Sequence, residues 1–138
     1  MTTVSKELQT EKTKSQYYQV ISRCRDVFEK KHHDYGSAWR ILRHTSLTDQ
    51  IYIKAKRIKS IEEKGTQLVD EGVDNEYVGI INYCIMALVQ LQMGVNESDD
   101  HMPANEILTL FDKETHATYE LMANKNHDYG EAWRDMRI

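Results

Sequence analysis

One segment of this chain occurs twice, and that repetition constrains the fold more than any other feature. Lys31-His-His-Asp-Tyr-Gly-Ser-Ala-Trp-Arg-Ile-Leu-Arg43 returns as Lys125-Asn-His-Asp-Tyr-Gly-Glu-Ala-Trp-Arg-Asp-Met-Arg137, with 9 of 13 positions identical at an offset of 94. Both tryptophans of the chain lie in the shared set. The offset extends upstream, where Tyr17 aligns with Phe111, Val27 with Leu121 and Phe28 with Met122. Each motif therefore follows a helix whose apolar residues occupy equivalent places. The first copy continues through Ser46-Leu-Thr-Asp49 into two more helix-like segments, whereas only Ile138 follows Arg137. The chain reads as a complete helical unit, residues 1–98, and a truncated second copy, residues 99–138, packed on the first unit or on a partner chain. Either a longer protein is cut short, which the repeat favours, or the fold needs only the front half of the second unit.

The single Pro and the lack of alternating β-branched runs argue against a sheet. Apolar spacing predicts an all-α helical bundle of about four main helices, with the repeated motif as its corner. The first helix runs from about Ser5 to Lys31, and Gly36 stops it. A short turn over 37–43 presents Trp39. Thr45 or Ser46 caps the second helix, which carries Ile51, Ile53, Ala55, Ile58 and Ile61 and stops near Gly65. Asp74 caps the third, apolar almost all round and so the buried one, which closes at Gly94. Pro103 opens the fourth, which reaches about Asn126.

Charge is uneven. Residues 1–65 hold 14 Lys/Arg against 8 Asp/Glu, and residues 66–138 hold 4 against 14. The basic half can meet phosphates and the acidic half a metal. The whole chain is acidic at net −4, and no helix carries a dense basic face with base-reading residues, which argues against DNA. Tyr77 to Leu91, the longest apolar stretch, is broken by Gly79, Asn82 and Gln90, too short a run to span a membrane. The polar N-terminus lacks a signal-peptide pattern, and Cys24 and Cys84 read as two buried reduced thiols. Both point to a cytoplasmic location.

The motif His-Asp-Tyr-Gly-x-Ala-Trp-Arg has two readings. As a structural corner it uses Gly for positive φ and the aromatic rings as filler. That accounts less well for a charged set that occurs twice. As a ligand site, Tyr35 or Trp39 stacks on a base while His33 and Arg40 meet phosphate oxygens, with Asp34 beside them. The second copy offers His127, Asp128, Trp133 and Arg134. Lys54 and Arg57 form a basic pair on the second helix, for a triphosphate or simply for solvent. Glu62, Glu63 and Glu76 are candidate metal ligands, although Glu76 equally suits the first turn of its helix. Asn82, inside an apolar helix, must find hydrogen bonds there or hold a ligand. No Walker loop, zinc set, nucleophile elbow or dinucleotide fingerprint is present.

These motifs, with Lys-Ala-x-Arg-Ile-x-x-Ile-x-Glu and Gly-Ile-Ile-Asn-Tyr-x-Ile-x-Ala-Leu, resemble the nucleotide-modification-associated domain 1 family over about residues 14–94. The resemblance implies a link to modified-nucleotide metabolism. That family is in turn similar to all-α nucleotide pyrophosphohydrolases of the MazG and dUTPase type, which hold Mg²⁺ through paired acidic motifs. Carried over, Glu62 or Glu63 would serve one helix and Glu76 the next. Position 79 is Gly where the pattern asks for Asp, and residues 59 and 60 are Lys and Ser, so the carried-over site is incomplete. The combined expectation is a nucleotide-binding domain. Its catalytic form splits a nucleoside triphosphate into monophosphate and pyrophosphate with Mg²⁺. The competing expectation is a non-catalytic interaction or dimerisation domain. The apolar face of the second copy (Phe111, Tyr119, Met122, Trp133) must be covered by the first unit or by another chain, and a homo-oligomer is expected.

Overall fold

Helical periodicity becomes four long helices, the first two joined by a tight corner. The computed structural model describes residues 3–65, 72–98 and 101–136, with side chains from residue 5. Helix α1 spans Thr3–Tyr35, α2 His44–Lys64, α3 Val73–Met93 and α4 Ala104–Tyr129. Short 3-10 turns cover Ala38–Ile41 and Ala132–Asp135. No strand occurs among the described residues, so the fold is the all-α bundle that the periodicity predicts.

Helix ends differ from the sequence reading for local reasons. α1 continues through the His-Asp-Tyr run, because nothing breaks it before Gly36, whose φ of 65° ends the helix. Gly130, at φ 72°, does the same for α4. α2 begins at His44 behind an extended Arg43, with no side-chain cap. Thr45 and Ser46 fall inside its first turn, so neither is the cap. Asp74 is likewise not a cap but lies in the first turn of α3, where it pairs with Arg23 at 2.6 Å.

The core gathers Ile21, Cys24 and Phe28 of α1, Val78 and Ile85 of α3, and Ile107 and Phe111 of α4. α3 is the central helix, packed against α1, α2 and α4. Its sequence explains this, since apolar residues occupy nearly every side. α2 packs on α3 and buries Leu47 and Ile58. Ile53 and Ala55, read as part of its apolar row, are exposed, because α2 uses a narrow face against α3. Cys24 is buried as expected, but Cys84 is exposed.

The two copies pair antiparallel, each corner resting on the start of the other copy's helix. Phe28 meets Phe111 with ring centroids 5.0 Å apart, and Tyr17 meets Tyr119 at 5.3 Å. Ser37 Oγ accepts the Met102 N–H at 2.9 Å. Its counterpart at the offset of 94, Glu131, accepts from Gln9 and Thr13. An antiparallel pair of equivalent helices demands such reciprocity.

Candidate functional site

The first corner is built around a buried cation. Past Gly36 the chain turns through Ala38–Ile41, and the half-buried Trp39 ring sits edge-on to Phe28 at 6.1 Å. Gln90 of α3 reaches across. Its Nε2 donates toward the carbonyls of Trp39, Arg40 and Leu42 at 3.3, 2.9 and 2.9 Å. The Asn96 N–H donates to the Arg40 carbonyl at 2.9 Å. Arg40 is 1% exposed, and its guanidinium lies 5.7 Å from the Trp39 ring centre. Nη2 donates to Asn96 Oδ1 at 3.3 Å, while Nε and Nη1 have no hydrogen-bond partner among the described residues. Among the described residues no carboxylate pairs with it. Burial pushes its pKa down, yet an arginine stays charged at neutral pH. Each buried N–H left without a partner costs about 1–3 kcal/mol. His32 is also buried, lacks a partner at Nδ1 and stacks on His101 at 5.7 Å.

His33, Asp34 and Tyr35 do not join this nest. They are exposed on the last turn of α1, and His33 and Asp34 line a shallow hollow of about 540 Å³ with Asp26, Glu29 and Lys30. The sequence motif is thus divided: the helical half faces outward and the turn half faces in. The sequence marks Gln90 only as a break in the longest apolar stretch, not as a site residue. Its signal is an amide within the most apolar stretch of the chain, where it needs hydrogen-bond partners.

The second corner has the same turn and different surroundings. Trp133 is 46% exposed, and its Nε1 donates to Asn126 at 3.1 Å. The Arg134 guanidinium lies 4.6 Å from that ring. Arg134 donates through Nε to Glu131 and through Nη2 to Thr13 and Gln16 at 2.9 and 2.8 Å. Burial tends to raise the Glu131 pKa, but Thr13, Arg134 and Gln9 more than reverse this and hold it low. Between this corner and the start of α1 opens a cleft of about 900 Å³. Lys6, Gln9, Thr13, Tyr119, Asn124, Asn126, His127, Asp128, Glu131 and Arg134 are among the residues that line it. Such a volume suits a small organic ligand. Amides, hydroxyls and charges of both signs can meet a base edge or a sugar.

The remaining candidates lie at the far end of α3. Glu76, 7% exposed, accepts from Arg57 at 3.0 Å and Lys54 at 3.4 Å. Burial raises its pKa, and the two cations overcome this and hold it below the ordinary carboxylate range. Lys54 crosses α3 where Gly79 leaves room, since a Cβ there would lie 2.6 Å from its Cε. Lys54 and Arg57 cannot serve one ligand together with Arg40, because Glu76 and Gln90 are about 21 Å apart along α3 at 1.5 Å per residue. Glu62 and Glu63 are exposed. Among the described residues no three His, Cys, Asp or Glu side chains cluster to hold a metal. As arranged, Glu62, Glu63 and Glu76 do not fit a magnesium site, and Glu76 already faces two cations. Asn82 donates through Nδ2 to the Cys24 carbonyl at 3.1 Å, which ties α3 to α1.

Residues 31–91 match the family model described as nucleotide modification associated domain 1. That span runs from the first motif to the end of α3, and so holds the buried Arg40 with its Gln90 support. No curated protein and no solved structure matches the chain. No helix among the described residues is long and apolar enough to cross a membrane.

Proposed function

We propose that this is a nucleotide-binding helical domain in the metabolism of nucleotides or modified nucleotides, and that the cleft at the second corner holds the nucleoside. The observation that carries the reading is the cleft of about 900 Å³, where His127, Asp128 and Arg134 of the repeated motif meet Gln9, Asn124 and Asn126. Amide side chains at these places supply donors and acceptors for a base edge, and Tyr119 supplies a ring. The name of the matched family points the same way. Calorimetric titration with a panel of nucleosides and nucleotides tests it. Binding that Asn126→Ala weakens supports the reading, and absence of binding by every member overturns it. The catalytic form, Mg²⁺-dependent release of pyrophosphate, needs metal ligands beyond Glu62, Glu63 and Glu76. Pyrophosphate assay of the same panel with Mg²⁺ tests that form.

A second reading is an interaction or dimerisation domain. Its support is the apolar surface at the second corner, where Leu121, Tyr129, Trp133 and Met136 are exposed. Sedimentation equilibrium tests it: a homo-oligomer that Trp133→Ser dissociates supports this reading, and a monomer at all concentrations refutes self-association.

A further inference from the structure

The repeat supplies an internal comparison that neither corner gives alone. Position 37 is Ser in the first copy, and its counterpart in the second is Glu131. At the second corner, Nε of Arg134 donates to Glu131. At the first corner, the matching Nε of Arg40 has no hydrogen-bond partner among the described residues, and neither has Nη1. Yet Arg40 is the more deeply buried of the two. Desolvation predicts the reverse, because a buried charge needs its counter-ion more than an exposed one. The unpartnered Nδ1 of His32 and Nε2 of His44, on the residues flanking this turn, add two more unsatisfied ring nitrogens to the first copy.

From this difference we infer that the first corner is a receptor for a phosphate group, which takes beside Arg40 the place that the Glu131 carboxylate takes beside Arg134. The residue at position 37 or 131 then decides which corner accepts a ligand and which satisfies itself. A guanidinium presents two parallel N–H groups to a tetrahedral oxyanion as readily as to a carboxylate. Two of the groups over the corner are side chains, the Asn96 amide on Nη2 and the exposed His101 ring stacked on His32. Their displacement breaks no helix. The phosphate is either free or the phosphoryl end of a nucleotide. The inference does not depend on the cleft at the second corner.

Calorimetric titration with inorganic phosphate, at ionic strength balanced by chloride, tests this. The unsubstituted chain should bind one phosphate, Arg40→Gln should bind at least tenfold more weakly, and Glu131→Gln should bind two. No binding by the unsubstituted chain overturns the inference, as does unchanged affinity in Arg40→Gln. If Arg40→Gln fails to fold, Glu131→Gln decides: a second site supports the inference, and an unchanged single site overturns it. A nucleoside 5′-monophosphate that binds more tightly than phosphate assigns the nucleotide, and equal affinity assigns the free ion. Phosphate binding with no binding by any nucleoside or nucleotide of the panel would sink the proposed nucleotide function and leave this inference standing.

Discussion

Tyr17 shows how one residue couples the copies. Its hydroxyl donates to the Thr115 carbonyl at 2.6 Å, and burial, with Tyr18 and Cys24 adding, pushes its pKa up to about 12. A phenol whose pKa rises on folding stabilises the fold fully below its ordinary value of 10, and that support fades as pH climbs through about 12. Tyr17→Phe should therefore cost about 1 kcal/mol at pH 7. The gap to the unsubstituted chain should close between pH 10 and 12 in urea unfolding. Glu76 works on the opposite side of the scale. Its folded pKa is depressed, so its contribution is present above the ordinary 4.5 and is lost as pH falls below it. Glu76→Gln should cost about 1–2 kcal/mol at pH 7, less than a fully buried pair because Arg57 is half in water. Chemical denaturation near pH 3 should show a smaller difference between the two chains. The sequence marked Glu76 as a first-turn acid or a metal ligand. That two cations of α2 would claim it depends on the register of α2 against α3, which periodicity leaves open.

At the scale of elements, α3 organises the bundle through polar residues inside an apolar surface. Asn82 bonds to the α1 backbone, and Gln90 reaches three carbonyls of the first turn. Gln90→Leu keeps volume but takes the donor from the Leu42 carbonyl, while Trp39 and Arg40 keep bonds from the Leu42 and Asn96 N–H groups, and should cost about 1–3 kcal/mol, read from thermal or urea unfolding. Gly79 has a different role. Ala is the better helix former by about 1 kcal/mol, but its Cβ would push the Lys54 side chain aside. Gly79→Ala should be nearly neutral alone, and should stabilise by about 0.5–1 kcal/mol once Lys54→Ala has cleared the space. A double-mutant cycle measures that coupling. Helix existence was legible from apolar spacing. The helix starts were less so, because Thr45, Ser46 and Asp74 look like caps while the backbone starts one or two residues earlier.

For the whole molecule, the repeat makes one motif do two things. Trp39 is packed on Phe28 and covered at its turn by Gln90, whereas Trp133 stands half in solvent. Trp39→Ala should cost about 3 kcal/mol or more, and Trp133→Ala about 1 kcal/mol or less in the monomer, as calorimetric unfolding would show. A shared motif does not guarantee identical energetics, since position 37 is Ser where position 131 is Glu and each corner's surroundings come from elsewhere in the chain. By itself the sequence determined the helical class, the long helices, the glycine stop at 36, and the equivalence of the two corners. These follow from local spacing and from backbone angles that glycine adopts easily. Only the tertiary structure decided that Arg40 is buried with no carboxylate beside it among the described residues, that Glu76 faces Lys54 and Arg57, and that a cleft of about 900 Å³ opens at the second corner. Burial and charge pairing depend on which distant segments come to lie alongside, and no local pattern encodes that.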